Sequence, residues 1–582
     1  MEEYKWDLSK IYSDDDHFYS DMDKVEQYIK KIENLKEDFK SNFKEIVTTM
    51  AESSEIMSRL YVYSHMKRDE DSRQSEGQKM ALETESLNAK LEIILSFFNP
   101  SILSLDADEL DILIKDNDLE NYRAYLYKIF RYKKYTLSKE EEYIMGSLLE
   151  LADAPVNSYY LLMNADMTFP FLEKAGERLT NANYVDMLRK NDSEIRKEAF
   201  EKMYSTLKNV KNSVSSMMYS NLKSLAIESK LRGFKSSREM KLFDDNIPVD
   251  VYDNLLQIIE SYLPVLHRYY EIRKEHLGLE KQNIYDIYLP LSIDYDKKFS
   301  YEDAQEILIK ALAPMGEDYI RDLKRAFTDN WVDVYPREGK RGGAYSWGEY
   351  KSDPYILMNY TGQLDSLFTL AHELGHSMHS FYSRKNNDYI YSSYSIFVAE
   401  VASTTNELLL LDYLIENAED DIEKLHLVNH YVDSFKSTVF RQSMFAEFER
   451  ETSALVDADN ALTLEDFNDL YYKLNQKYFG DAVFLDRDIE LEWTRIPHFY
   501  MGFYVYKYAT GFSTAVTLSR NILDKKPGAL KKYLEFLKDG GNNYPLDQLR
   551  EAGADISKRE TLNYAMQVFE EKVNLLEKLL KS

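Results

Sequence analysis

Residues 369–379 read Thr369-Leu370-Ala371-His372-Glu373-Leu374-Gly375-His376-Ser377-Met378-His379, and the rest of the chain is best understood outward from them. With 10 His in 582 residues, an H-E-x-x-H pattern arises by chance only about 0.02 times. On a helix, positions i and i+4 are neighbours. His372 and His376 therefore turn two imidazoles to one side, close enough for a single tetrahedral Zn²⁺ to bridge. Glu373, three residues before His376, reaches a water held by that metal and is placed as its general base. Leu364, Leu367, Ala371, Leu374, Met378 and Phe381 form an apolar stripe, while Asp365, Thr369, His372, His376 and His379 fall on another side. This predicts a helix with one packed face and one face on a cleft. His379 lies outside the complete motif and reads as a supporting or structural residue.

Two imidazoles leave a catalytic zinc short of a third protein ligand. Downstream, Glu400, Ser403, Thr404 and Glu407 make a polar i, i+3, i+4, i+7 stripe, with Val401, Ala402, Leu408 and Leu409 on the apolar side. A second helix can thus present Glu400 to the metal and use Ser403 or Glu407 to hold the histidine rings in one tautomer; Glu407 is the rival ligand. Hydrolysis also needs donors where an oxyanion forms, and Arg495-Ile496-Pro497-His498-Phe499-Tyr500-Met501-Gly502-Phe503-Tyr504-Val505-Tyr506-Lys507-Tyr508 is rich in them. A helical reading puts Tyr500, Tyr504 and Tyr508 on one face. The competing reading is aromatic packing with hydrogen-bonded tips.

Only 19 Gly and 12 Pro interrupt the 582 residues, and the long intervals between them carry helical apolar spacing, so the fold class is mainly α. Residues 14–135 are charge-rich and helical, broken at Asn99-Pro100. Short β-like pieces at Thr168-Phe169-Pro170-Phe171 and Leu179-Thr180 precede a boundary near 190, which separates an N-terminal helical region (1–190) from a catalytic region (191–582). Between 284 and 361 the helical pattern lapses, and Ile284–Tyr288, Val332–Tyr335, the Gly-rich 339–346 and Tyr355–Tyr360 predict a small sheet beside the helices. There is no repeat of fixed period.

The charge balance, 73 − 101 = −28, repels phosphate backbones and anionic membranes, so neither nucleic acid nor membrane is an expected partner. With 0 Cys, the strong metal ligands are His, Asp and Glu. The opening Met1-Glu2-Glu3-Tyr4-Lys5-Trp6 lacks a basic start followed by an apolar run, which points to a cytoplasmic protein.

Three segments taken jointly, His372-Glu373-Leu374-Gly375-His376-Ser377-Met378-His379, Ser395-Ile396-Phe397-Val398-Ala399-Glu400-Val401-Ala402-Ser403-Thr404 and Ile496-Pro497-His498-Phe499-Tyr500, resemble the oligoendopeptidase F group of the thimet oligopeptidase family of zinc metallopeptidases. Trp6-Asp7-Leu8, Gly343-Ala344-Tyr345-Ser346, Pro354-Tyr355-Ile356-Leu357 and Ala552-Gly553-Ala554-Asp555 extend the resemblance over nearly the whole chain. It implies a two-lobed helical metallopeptidase with a small sheet beside the active-site helices and a deep central channel, its wall or cap built partly by residues 1–190. It further implies a metalloendopeptidase that cuts short unstructured oligopeptides with one Zn²⁺ per chain. By carry-over, His372, His376 and Glu400 bind the metal and Glu373 is the base. His498 steadies the tetrahedral intermediate with a tyrosine, Tyr504 before Tyr508, and the strand Gly343, Ala344, Tyr345 aligns the substrate. A zinc exopeptidase, or a non-catalytic peptide-binding scaffold with a structural metal, are the alternatives.

Overall fold

The computed structural model describes residues 4–292 and 297–581; residues 1–3 of the opening stretch weighed above lie outside it. The chain is 72% helical, and among the described residues no helix is long and apolar enough to cross a membrane. Two compact units form, each from three separate segments. The first comprises Met1–Thr136, Asp296–Tyr413 and Leu518–Gly553, and the second Leu137–Tyr295, Leu414–Thr517 and Ala554–Ser582. The region 191–582 thus contributes to both.

The first unit begins with three helices, Asp15–Leu35, Phe43–Glu70 and Ser75–Leu95. Asp14 caps the first by accepting the His17 N–H, which satisfies one of the orphan donors of a helix start. Phe18, Val25 and Ile32 of that helix pack with Met57, Leu60 and Met66 of the second and Met80, Leu87 and Leu91 of the third. The break at Asn99-Pro100 lies within the first turn of a new helix, Phe98–Ser104, where proline's missing N–H costs no hydrogen bond.

A three-stranded sheet joins this core. Its strands, β3 (Val332–Asp333), β4 (Tyr345–Trp347) and β5 (Tyr355–Leu357), follow an earlier hairpin of β1 (Phe171–Leu172) and β2 (Glu177–Arg178) in the second unit. β5 is central, parallel to β3 and antiparallel to β4, and its Tyr355 and Leu357 side chains enter the core of the N-terminal helices. The strands are shorter than the sequence pattern suggested. Ile284–Asp286 is a 3-10 turn, and two helices, Tyr301–Ala311 and Glu317–Thr328, occupy much of the expected β region. Their signals are local: Ser300 and Asp303 form a capping box, and Ala304, Leu308 and Ala311 bury one face.

In the second unit, aromatic rings cluster within a mixed aliphatic and aromatic core. Phe435 and Phe440 both meet Phe569 of the helix Arg559–Lys581, at ring separations of 5.2 and 4.9 Å.

The loop that delivers β4 is held by a buried cation. The Lys340 ammonium, its side chain fully enclosed, donates to the Asp333 carboxylate at 2.8 Å, to the carbonyls of Asp333 and Tyr335, and to Met358 O. One group thereby fastens β3, the residue after β5 and the approach to β4. Removing it leaves buried acceptors and part of a buried charge without their partner, an imbalance worth about 3–5 kcal/mol. Lys340→Met is therefore expected to lower unfolding free energy by about that much, measured by urea titration followed by circular dichroism.

Candidate metal centre and active site

The helix Leu364–Asn386 is enclosed on nearly every side. Between residues 364 and 380 only Asp365, Thr369, His372, His376 and Ser380 escape burial, a single line along the helix. His372 and His376 lie on that line because of their i, i+4 spacing. His379 does not: it is 1% exposed and stacks on Tyr394 with ring centroids 3.6 Å apart and planes 6° from parallel. It therefore belongs to the packing rather than to the open face expected for it. Tyr394 in turn donates to the backbone carbonyl of His376 at 3.3 Å, supporting the metal-side turn from behind.

The second helix, Ile396–Glu416, brings Glu400 to the imidazoles. The Nε2 atoms of His372 and His376 are 3.1 Å apart, and Glu400 Oε2 lies 3.4 Å from the first and 3.7 Å from the second. Ligands about 2.0–2.2 Å from a tetrahedral zinc are separated from one another by roughly 3.3–3.6 Å, so the triangle has the dimensions of one face of such a tetrahedron. Two imidazoles and one carboxylate are three protein donors, the number typical of catalytic zinc, whereas structural zinc takes four. The group His372, His376 and Glu400 is also the one cluster of metal-ligating side chains found among the described residues.

The surrounding groups orient these donors. Glu407 Oε1 meets His372 Nδ1 at 2.6 Å, on the opposite side of the ring from Nε2. It is thus placed to accept the Nδ1 proton and leave Nε2 as the lone-pair donor. Ser403 does not touch a histidine ring; its hydroxyl donates to Glu400, both to the carbonyl and to Oε2 at 3.2 Å. The two helices can approach this closely because residue 375 is glycine. A Cβ there would stand 2.5 Å from Ser403 Cα and 2.9 Å from the Ala402 carbonyl oxygen, both backbone atoms that no side-chain rotation can move.

Charge is concentrated around the triangle. Burial pushes the Glu373 carboxyl up to about 7, opposed by His372 and the Ser346 N–H and reinforced by Glu400 and Glu407. Burial alone would depress His372, but the Glu407 hydrogen bond and the fields of Glu407, Glu373 and Glu400 raise it to about 9. His376, desolvated and beside His372, is lowered to about 3. Three carboxylates around two imidazoles make a strongly cation-seeking site.

The expected substrate strand has a definite outer edge. Ile356 and Met358 give their N–H groups to Trp331 and Asp333 on the β3 side, so strand alternation turns Tyr355 and Leu357 toward β4. Their partners Tyr345 and Trp347 face back into the sheet. Ala344 and Ser346 then direct their peptide groups to the unpaired edge. Gly343 accepts a side-chain bond from Asn359 at 2.7 Å, and the Tyr345 hydroxyl donates to Asp69 at 3.1 Å. Ser346, the last residue of the segment matched to the substrate strand, ties this edge to the helix of the base: its hydroxyl pairs with that of Ser377 at 2.8 Å.

His498, Tyr504 and Tyr508 gather in the second unit. His498 lies on the 3-10 turn Pro497–Tyr500, its Nε2 3.4 Å from the Tyr508 hydroxyl, and its ring is 6.2 Å from that of Tyr504 and nearly parallel to it. The single helical face expected for Tyr500, Tyr504 and Tyr508 is not formed. The helix begins only at Tyr506, because Gly502 and Phe503 both take positive φ, +65° and +52°. Tyr500 instead turns inward and stacks on Tyr159 at 4.3 Å.

Comparison with known proteins gives a consistent result. The description "Peptidase family M3" matches residues 186–568, and "Oligopeptidase F" matches residues 101–169. The chain is 40% identical to Oligopeptidase PepF of Bacillus subtilis, over 99% of its own length and 87% of that protein. It is 37% identical to Group B oligopeptidase PepB of Streptococcus agalactiae, over 100% and 97%. Among solved structures, oligoendopeptidase-F from Enterococcus faecium matches with a TM-score of 0.75 at 34% identity, covering 97% of this chain and 99% of that one.

Gly375→Ala must part the two helices that carry the ligands. Metal affinity is expected to fall by about 10–100-fold, as for loss of an outer-shell partner, and Glu407→Ala should fall in the same range. Competition with a chromogenic chelator measures both.

Proposed function

Because the chain belongs to peptidase family M3, we propose that this enzyme is a zinc-dependent endopeptidase that hydrolyses internal bonds of short, unstructured oligopeptides. The observation that carries the reading is the triangle of His372, His376 and Glu400, sized for one zinc and set beside the buried carboxyl of Glu373.

In this reading His372 and His376 hold the metal through Nε2 and Glu400 through a carboxylate oxygen. Bound there, Zn²⁺ supplies Lewis acidity, polarising the scissile carbonyl and making a water at the site acidic. Glu407 fixes the tautomer of His372, and Ser403 fixes the Glu400 carboxylate. Glu373 takes the proton of the attacking water and returns it to the leaving amine; a carboxyl raised by burial toward neutral pH is suited to both transfers. The outer edge of β4, through Ala344 and Ser346 with Gly343 and Tyr345 flanking, holds the substrate extended by adding it as a strand. That mode requires a peptide free to straighten, which favours unstructured substrates.

His498 and Tyr504 are the proposed donors to the oxyanion, with Tyr508 orienting His498. The Tyr508 hydroxyl is already directed at the imidazole, which makes Tyr504 the better placed of the two to serve the substrate. Burial lowers the His498 pKa, so the ring acts as a neutral hydrogen-bond donor around pH 7. Residues 191–582 carry all of these groups, and the proposed setting is the cytoplasm.

A quenched peptide of about ten residues with both ends blocked, long enough to add as a strand, tests the central statement. Internal cleavage that a chelator abolishes and zinc restores is expected; release of terminal residues only from unblocked peptides would replace the endopeptidase with an exopeptidase. Glu373→Gln should keep its zinc, measured by atomic absorption, while kcat falls by about 10²–10⁴-fold. Near-normal turnover by that variant would remove Glu373 from the role of base.

A further inference from the structure

Phe503 is the conformational outlier of the region that follows His498. A bulky side chain at φ +52° sets Cβ against the following carbonyl and persists only where neighbours hold it. Two contacts do so. Its ring, 3% exposed, meets Tyr252 edge-on at 5.7 Å, and its N–H donates to Glu449 Oε1 at 2.9 Å. The turn matters because it is the whole connection between the 3-10 turn bearing His498 and the helix bearing Tyr508, with Tyr504 immediately after Phe503. Returning Phe503 to the ordinary region would rotate the chain by roughly 110° about that bond and carry Tyr504 away from its neighbours.

Glu449 is an unusual choice for this task. It lies on the helix Arg441–Asp457, is 2% exposed, and its second oxygen has no hydrogen-bond partner among the described residues. Burial drives its carboxyl up to about 8, countered only by the Phe503 N–H. The titratable groups facing it are phenols: Tyr252 from Val249–Ser261 and Tyr506 from Tyr506–Leu523, both raised well above the usual tyrosine range by burial. Nearby charges are engaged elsewhere. Arg238 pairs with Asp253, Arg450 with Glu451, Lys477 with Glu447 and Lys507 with Asp245. A buried acid with one satisfied oxygen is costly, and an apolar side chain would fill the space at lower cost. What the acid adds is an acceptor aimed at one strained N–H.

We infer that Glu449 is a positioning residue for catalysis: through the Phe503 N–H it locks the Gly502–Phe503 turn and so sets where Tyr504 stands relative to His498 and Tyr508. The inference rests on the oxyanion role proposed above for His498 and Tyr504. Either protonation state of the acid accepts this N–H, and ionisation strengthens the bond, so the lock needs an acceptor at this position rather than one charge state.

The test uses the full-length, zinc-loaded enzyme and the doubly blocked peptide, with kcat and KM measured separately from pH 6 to 9 alongside zinc content and melting temperature. Glu449→Leu should lower kcat on the order of tenfold or more, the scale of a small misplacement of reacting groups, with zinc content unchanged and KM altered by less than about twofold. Glu449→Gln keeps a carbonyl acceptor for the Phe503 N–H, so it should retain most of the wild-type kcat. Wild-type kcat in Glu449→Leu, or equal losses in both variants, overturns the inference. If Glu449→Leu does not fold, Glu449→Gln decides, and a loss of kcat of about tenfold there, the scale of misplaced reacting groups, overturns the inference. His498→Ala separates the two levels. If it retains full kcat, the oxyanion reading falls and takes the inference with it. A large loss there beside an unaffected Glu449→Leu overturns the inference alone.

Discussion

The site depends on one close approach. At Gly375 the backbone of one helix lies against Ser403 of another with no room for a methyl group. That contact sets the distance between the residues on either side of it: His372 and His376 from one helix, Glu400 and Glu407 from the other. Ligand separations of 3.1–3.7 Å follow from where the helices touch, and so does the reach of Glu407 to the far nitrogen of His372. Glycine inside a helix costs about 1 kcal/mol relative to alanine. Here that cost secures a contact that no other residue permits.

The same contact concentrates charge. Glu373, Glu400 and Glu407 all act on His372, and Glu373 is buried. Such a cluster is stable only when a cation or protons share it. The opposite shifts of His372 and His376 express this: the Glu407 hydrogen bond and the carboxylate fields outweigh burial and raise the first, while burial and the neighbouring ring lower the second. A divalent ion would satisfy all of these groups together, so metal binding and local order are coupled.

Much of this was legible in the sequence because the decisive signals are local. The spacing of His372 and His376 fixes their shared direction, and the polar stripe of Glu400 to Glu407 marks the second helix. For Glu407 the sequence offered two readings, ring orienter and rival ligand, and could not choose between them, because the choice turns on which part of the site its carboxylate meets. His379 sits at a spacing that suggested the open face, but Tyr394 from a later loop covers it. Which peptide groups of the segment 343–346 face outward was not legible, because the outer edge of β4 is defined by how β5 pairs with β3, a contact between strands distant in sequence. The three-tyrosine face failed at Phe503, whose positive φ is imposed by Tyr252 and Glu449 and leaves no mark in its own sequence. The helices at 301–328 did carry a mark, the Ser300 and Asp303 capping box, obscured by the aromatic stretches on either side.

The interleaving of the units bears on how the protein is made. The first unit draws its last segment from Leu518–Gly553, and Ala529–Asp539 in that segment packs on the helix that carries His372 and His376. On the ribosome, which releases the chain N-terminus first at about 5–20 residues per second, that helix waits for partners encoded some 150 residues later. Its apolar face stays without its final covering while roughly 150 further residues are made. The helix of His372 and His376 is therefore completed late, and a nascent chain interrupted between residues 386 and 529 carries both histidines without the packing that supports them.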